Sequence, residues 1–162
     1  MKNSFVLSIV VFLTLNIGIL NLNSFAQYSN ILYFEGVTNG SWPKGSLYFD
    51  GTFLYGMTQA GGTGSSQGLG VIFKIKPDGT EYSKLLDFDG TLTGSHPNGS
   101  FISDGTYLYG TTYDGGAPGI GTIFKIMPDG TGFSVLYNFN YNSGWQPSGT
   151  LFLMEYFYMA QL

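Results

Sequence analysis

The sequence contains no cysteine and no arginine, a single histidine, and only 10% charged residues. The absence of cysteine excludes disulfide bonds, thiolate metal ligands and cysteine nucleophiles. All six basic residues are lysine and the net charge is -4, which excludes a surface that follows the phosphates of a nucleic acid. What the chain has in excess is glycine, 25 of 162 residues, which disfavours long helices and is typical of short strands joined by tight turns.

The first 26 residues have the pattern of a secretory signal peptide. Lys2 supplies a positive charge, an apolar run extends from Phe5 to Leu20, and Ser24 and Ala26 provide small residues for signal peptidase. We predict cleavage before Gln27, a secreted or cell-surface location, and no membrane span after cleavage. A retained transmembrane anchor is the alternative, but the run is shorter than the roughly 20 residues that cross a bilayer.

The remainder, residues 27–162, contains an internal repeat of about 50 residues. Residues 43–62 match residues 97–116 at 12 of 20 positions, and residues 70–80 match residues 121–131 at 9 of 11 positions. The predicted repeat domain consists of a partial copy to about residue 42, full copies over about 43–96 and 97–146, and a truncated copy over 147–162.

Each copy contains four segments with the residue pattern of β-strands. In the first full copy these segments are Gly45–Phe49, Thr52–Thr58, Val71–Lys76 and Tyr82–Phe88. In the third segment lysines alternate with apolar residues, which indicates that the lysine face is the wetter one. Asp-Gly-Thr recurs five times, and Asp-Gly favours a two-residue hairpin turn. The pattern predicts a small antiparallel sheet in meander order.

A repeat of this length with four strands has the dimensions of a β-propeller blade. We therefore predict an all-β fold of antiparallel four-stranded repeat units arranged as β-propeller-like blades. Closed propellers have about four to eight blades, so two full copies predict an incomplete propeller. A β-sandwich and a solenoid of hairpins are the structural alternatives.

Several fixed motifs recur in the same order in both copies. Leu-Tyr-Gly begins at Leu54 and at Leu108, twin glycines follow each, and Ile-Phe-Lys-Ile precedes a Pro-Asp-Gly-Thr turn. Over Ile31–Leu151 these motifs resemble the GloVer tandem repeat, a family of bacterial proteins described as choice-of-anchor because members carry different C-terminal anchoring or sorting domains. The resemblance implies an exported, propeller-like protein with no assigned enzymatic activity, and it provides no catalytic residues.

The C-terminal segment departs from the repeat. After Leu151 the pattern predicts another Asp-Gly and Leu-Tyr-Gly-Thr-Thr, but Phe152–Leu162 contains no glycine. A reading frame that starts at the third base of the Leu153 codon can restore these motifs. One hypothesis is therefore a shifted, shortened copy of a longer repeat protein, and the alternative is a natural apolar C-terminal strand.

Residues that could act in catalysis or bind a metal are few and scattered along the chain. His96 precedes Pro97 without recurring partners, so we interpret it as a surface-loop histidine. Asp87 and Asp89 resemble the start of a calcium loop, but the remaining oxygen ligands are missing and a turn is the better interpretation. Carboxylates for glycoside hydrolysis would have to be assembled from Asp50, Asp104 and Asp114. We therefore expect no catalytic residues, no metal site and no cofactor.

The best binding candidates are Trp42 and Trp145, because both stand in connecting segments close to a proline. Most other aromatic residues are expected to fill the space between sheets. The sequence predicts an exported, non-enzymatic β-repeat module that contacts a glycan or another cell-surface component. A fragment of a propeller-type glycan-active enzyme and a truncated, frameshifted product without independent function are the alternatives.

Overall fold

The computed structural model describes residues 5–11, 27–63, 68–117, 119–144 and 146–152. These residues form ten β-strands in three antiparallel sheets, and they include no helix, so none that could cross a membrane. In chain order the strands are β1 (Phe5–Val11), β2 (Gln27–Phe34), β3 (Ser41–Phe49), β4 (Leu54–Ala60), β5 (Val71–Ile75), β6 (Ser83–Asp87), β7 (Ser95–Ser103), β8 (Leu108–Asp114), β9 (Thr122–Ile126) and β10 (Ser134–Asn138).

Sheet A contains β3 to β6 and sheet B contains β7 to β10, each as a meander in which consecutive strands pair. The predicted all-β fold with antiparallel four-stranded repeat units is confirmed, and the arrangement is consistent with an incomplete propeller. The first strand of sheet A begins at Ser41, earlier than predicted, because Ser41 pairs with Ala60 at the end of β4. A shift in pairing between Lys44 and Tyr48 interrupts the sequence pattern there and conceals the first half of the strand.

Sheet C consists of β1 and β2. Pairing skips Ile31 in β2, Leu85 in β6 and Leu136 in β10, so the last strand of all three sheets has a bulge at the same repeat position. β2 therefore occupies the fourth-strand position of a preceding repeat unit, and β1 occupies the third-strand position. Residues 5–11, which lie within the predicted signal peptide, thus pair as a strand in the folded chain.

The turn between β3 and β4 differs from the prediction. Phe49 pairs with Leu54, so four residues connect the strands instead of two. Oδ1 of Asp50 accepts hydrogen bonds of 2.7 Å from the backbone N–H groups of Thr52 and Phe53. The predicted two-residue turn is displaced by one residue, since the backbone N–H of Asp50 donates to the carbonyl oxygen of Phe53 at 3.2 Å and the aspartate side chain supplies the other hydrogen bonds of the connection.

The core lies in the two layers between the sheets. Phe34 packs with Phe73 and Ile75 between sheets C and A, while Ile72 packs with Phe124 and its neighbours between sheets A and B. The lysine face of β5 is therefore an inter-sheet face, and it is also the wetter of the two faces, as predicted, because Lys74 is half-buried whereas the residues of the opposite face are buried. Ile72 is fully buried on this face, and Lys74 extends to the edge, where Nζ donates to the carbonyl oxygen of Pro128 at 3.4 Å.

Candidate functional site

A cleft lies between sheets A and B, where the first strands begin and the second strands end. Its volume is about 470 Å³, within the range of pockets that bind small molecules. The start of β3 and the end of β4 form one side, and the start of β7 and the end of β8 form the other. The lining residues are Ser41, Trp42, Gln59, Ala60, Gly68, His96, Tyr113 and Asp114.

Three residues at the same repeat position have an unusual backbone conformation. Trp42, His96 and Gln146 each precede a proline, and their φ angles are 55°, 53° and 51°. A side chain at positive φ costs of the order of 1 kcal/mol, which glycine would avoid. The backbone N–H of His96 donates to the carbonyl oxygen of Leu69 at 2.8 Å, and that of Gln146 donates to the carbonyl oxygen of Ile120 at 2.9 Å. The preceding repeat unit thus fixes the strained conformation at the start of the next unit.

Two of these residues surround Asp114. Nδ1 of His96 lies 3.2 Å from Oδ2 of Asp114, an ion pair when the ring is protonated. Nε2 of Gln146 donates to Oδ1 of Asp114 at 3.4 Å, and the hydroxyl of Tyr113 donates to Oε1 of Gln146 at 2.9 Å. Nδ1 of His96 is buried and makes no hydrogen bond within the described residues. The cleft wall thus contains a chain of polar side chains in which Gln146 binds one oxygen of the carboxylate and His96 lies beside the other.

The structure places Trp42 on the lining of this cleft, with 53% of the residue exposed. Trp145, the second predicted binding residue, lies outside the described residues. His96 belongs to β7, so its predicted loop position is wrong, but 37% of its side chain is exposed, as predicted for a surface residue, and it lines the cleft. Sequence reasoning missed its contact with Asp114, although the register of the first hairpin, in which Ser95 pairs with Asp114, would have placed the two side by side.

The carboxylates considered for glycoside hydrolysis do not form one group. Asp104 precedes β8 and Asp114 ends it, so the length of a seven-residue strand, about 20 Å, separates them. The two carboxylates of glycosidases lie only about 5 to 10 Å apart. Asp104 and Asp50 each bond within their own turn, which explains why both recur in the repeat.

The side chains that resemble the start of a calcium loop accept hydrogen bonds from backbone N–H groups. Asp87 accepts hydrogen bonds from the N–H and the hydroxyl of Thr63 at 3.1 Å each and pairs with Lys84 at 2.7 Å. Oδ1 of Asp89 accepts the N–H groups of residues 91–93. The described residues contain no cluster of three acidic or histidine side chains suited to a metal ion.

A comparison with protein families identifies the class to which this fold and its repeats belong. The model of the Gloeobacter/Verrucomicrobia repeat matches residues 19–157, which is most of the chain. The chain is therefore a member of the Gloeobacter/Verrucomicrobia repeat family, as its motifs predicted. A search of curated proteins and a search of solved structures found no significant match.

Proposed function

We propose that this chain is an exported, non-enzymatic repeat module that binds a cell-surface or extracellular component through the cleft between sheets A and B. The observation that carries the proposal is the strained conformation of Trp42 and His96. If only this backbone conformation were required, glycine at these positions would make the protein more stable. Side chains retained at an energetic cost and directed to a cleft are typical of binding sites.

The differences between repeat copies support the same site. Gln59 in the first copy corresponds to Tyr113 in the second, and Ala60 corresponds to Asp114. Both pairs line the cleft. The backbone is repeated while the chemistry of these lining positions changes from copy to copy, as expected for a surface that recognises a ligand.

Export is supported by the leader pattern of residues 1–26. A non-enzymatic role is supported by the single carboxylate among the described lining residues, because hydrolysis of a glycosidic bond by the usual route requires two. Asp114 is the residue on which the alternative, a glycan-active enzyme, would depend.

The test compares two cleft variants, Trp42→Ala and Asp114→Ala, with Val37→Ala, which changes an exposed loop residue. Retention on isolated bacterial cell envelopes and on immobilised polysaccharides is measured by biolayer interferometry. We expect both cleft variants to lose retention and the control to keep it. Equal retention by all proteins would contradict the proposal, as would turnover of chromogenic glycosides that Asp114→Ala abolishes.

A further inference from the structure

Trp42 presents a large aromatic surface at the edge of the cleft. About half of the residue is exposed, 53%, although it lies beside the buried strand β4. An indole ring offers a flat apolar face together with one polar N–H group. A ligand that stacks here must therefore have a flat apolar face of its own and polar groups around its edge.

Asp114 faces the same cleft with hydrogen-bonding capacity to spare. An ionised carboxylate accepts about four hydrogen bonds. The hydrogen bond from Gln146 occupies one of these sites, and Nδ1 of His96 lies 3.2 Å from the other oxygen. Because Gln146 holds one oxygen of the carboxylate in place, lone pairs remain that can accept hydrogen bonds from ligand hydroxyl groups.

The charge of the lining favours neutral ligands over anionic ones. The lining residues that the structure describes include no lysine, and Asp114 contributes a negative charge. A phosphate, a sulfate or a uronic acid would meet repulsion from Asp114, and His96 offsets this charge only when its ring is protonated. The neutral polar side chains of Ser41, Gln59 and Tyr113 can instead donate to and accept from hydroxyl groups.

We infer that the ligand of this cleft is a neutral saccharide, whose ring stacks on Trp42 and whose hydroxyl groups bond to Asp114. A pyranose ring has an apolar C–H face and a polar edge, which matches both surfaces. The cleft volume of about 470 Å³ accommodates a short oligosaccharide. This inference rests on the proposed binding function and specifies the ligand class for the same site.

The experiment isolates the fluorescence of Trp42 by using the full chain with the substitution Trp145→Phe. This protein is titrated with cellohexaose, xylohexaose, mannohexaose and chitohexaose, and the emission of Trp42 is followed. We expect at least one of these probes to bind with a shift in emission. In calorimetric titrations of the chain that retains Trp145, Trp42→Ala and Asp114→Asn should each weaken that binding about tenfold or more.

Matched variants separate the stacking role from general damage. Trp42→Tyr retains an aromatic face and should bind within a few-fold of the parent chain. Tyr141→Ala removes an aromatic residue that is 82% exposed and does not line the cleft, so it should bind as the parent does. Circular dichroism confirms that each variant has retained the β-fold.

Other ligand classes are tested in parallel with inorganic phosphate, tri-galacturonate and choline. Binding of one of these through Trp42, with no neutral saccharide bound, would overturn the saccharide inference but leave the cleft as a binding site. Neutral saccharide binding that is unchanged by Trp42→Ala would overturn the inference and the assignment of the site. If none of the hexasaccharides binds, the inference is wrong, and retention on cell envelopes alone decides the proposed function.

Discussion

Gly45 in sheet A lies directly against the backbone carbonyl of Gly99 in sheet B, and the two glycines occupy the same position in successive repeat units. The relation continues along the chain, because a Cβ atom at Gly99 would lie 2.9 Å from the carbonyl oxygen of Gly149. Gly45 also has a φ of 76°. These glycines therefore set how closely one unit approaches the next, and with that approach the width of the cleft.

Gly45→Ala should strongly destabilise the protein. A Cβ at Gly45 would overlap the Gly99 carbonyl, and the positive φ adds strain, so we expect a loss of about 3 kcal/mol or more in the free energy of unfolding. Gly51→Ala is the matched control: φ is 101° there, but nothing lies within 4 Å of the added atom, and about 1 kcal/mol is expected. Urea denaturation measures both. Equal losses would show that the sheets separate easily at Gly45.

Tyr82→Phe should stabilise the protein. The hydroxyl of Tyr82 is buried and has no hydrogen-bond partner in the described part of the chain, and burial raises the pKa of this group to about 12. The ring stacks on Phe73, and the second repeat copy has Phe133 at the same position. Removal of the unpaired hydroxyl should increase the free energy of unfolding by about 1 kcal/mol.

The comparison variant for this position is Phe133→Tyr, which places the same hydroxyl in sheet B. Phe133 packs at the edge of the core and is partly buried, so a smaller loss is expected than the gain at Tyr82. Both proteins are compared with the parent chain by thermal and urea unfolding. A lower stability of Tyr82→Phe would indicate that the hydroxyl makes a stabilising contact.

Asp104 should make the fold more stable above pH 4 than at very low pH. The backbone N–H of Tyr107, the hydroxyl of Tyr109 and the backbone N–H of Thr106 lower the pKa of Asp104 to about 2 from its ordinary value of 3.8. The unfolded chain therefore binds a proton at higher pH than the folded chain. The contribution of Asp104 to stability is complete above its unfolded pKa and is lost as the pH falls towards 2.

The variant Tyr109→Phe tests this assignment, since it removes one donor to the carboxylate at 2.7 Å. The pKa of Asp104, followed by NMR of the side-chain carboxyl carbon, should move towards 3.8. Asp129 serves as an internal control because its pKa is lowered by the N–H and the hydroxyl of Thr131, which the substitution does not touch. An unchanged Asp104 pKa would mean that the backbone donors alone hold the carboxylate.

The repeat was the most informative feature of the sequence, because each copy is a local unit whose strands and turns are adjacent in the chain. Matching motifs at Leu54 and Leu108 predicted equivalent second strands, and both are observed. How the repeat units pack against one another was harder to predict from the sequence. Ile72 and Lys74 alternate as in a half-wet sheet, yet their face is covered by sheet B, and alternation alone does not distinguish water from a second sheet.

The candidate site could be predicted only in part for the same reason. Trp42 was found from its place before a proline, a local signal. The contact between His96 and Asp114 depends on the register of β7 and β8, and the approach of Trp42 to both depends on how two sheets pack. Such distances are properties of the assembled units and leave no fixed spacing in the sequence.

Residues 5–11 allow a last prediction, because they belong to the predicted signal peptide and also form strand β1. β1 is the only strand that pairs with β2 in the described part of the chain, and it precedes the predicted cleavage site after Ala26. If the chain is exported and cleaved, the mature protein loses β1, and the N–H groups of β2 that pair with it become accessible to water. We expect mass spectrometry of the exported protein to show Gln27 at its N-terminus.

Hydrogen exchange then reports the consequence for the fold. In the uncleaved variant Ala26→Tyr, in which a large residue replaces the small one that signal peptidase requires, those amides of residues 29–34 that donate to β1 should be protected. In the mature protein the same amides should exchange at least about tenfold faster, while those of β5, a central strand of sheet A, should exchange equally in both proteins. Equal protection of residues 29–34 in both proteins would show that another segment replaces β1 after cleavage. An intact N-terminus at Met1 on the exported protein would show instead that the leader is retained and that β1 remains part of the mature fold.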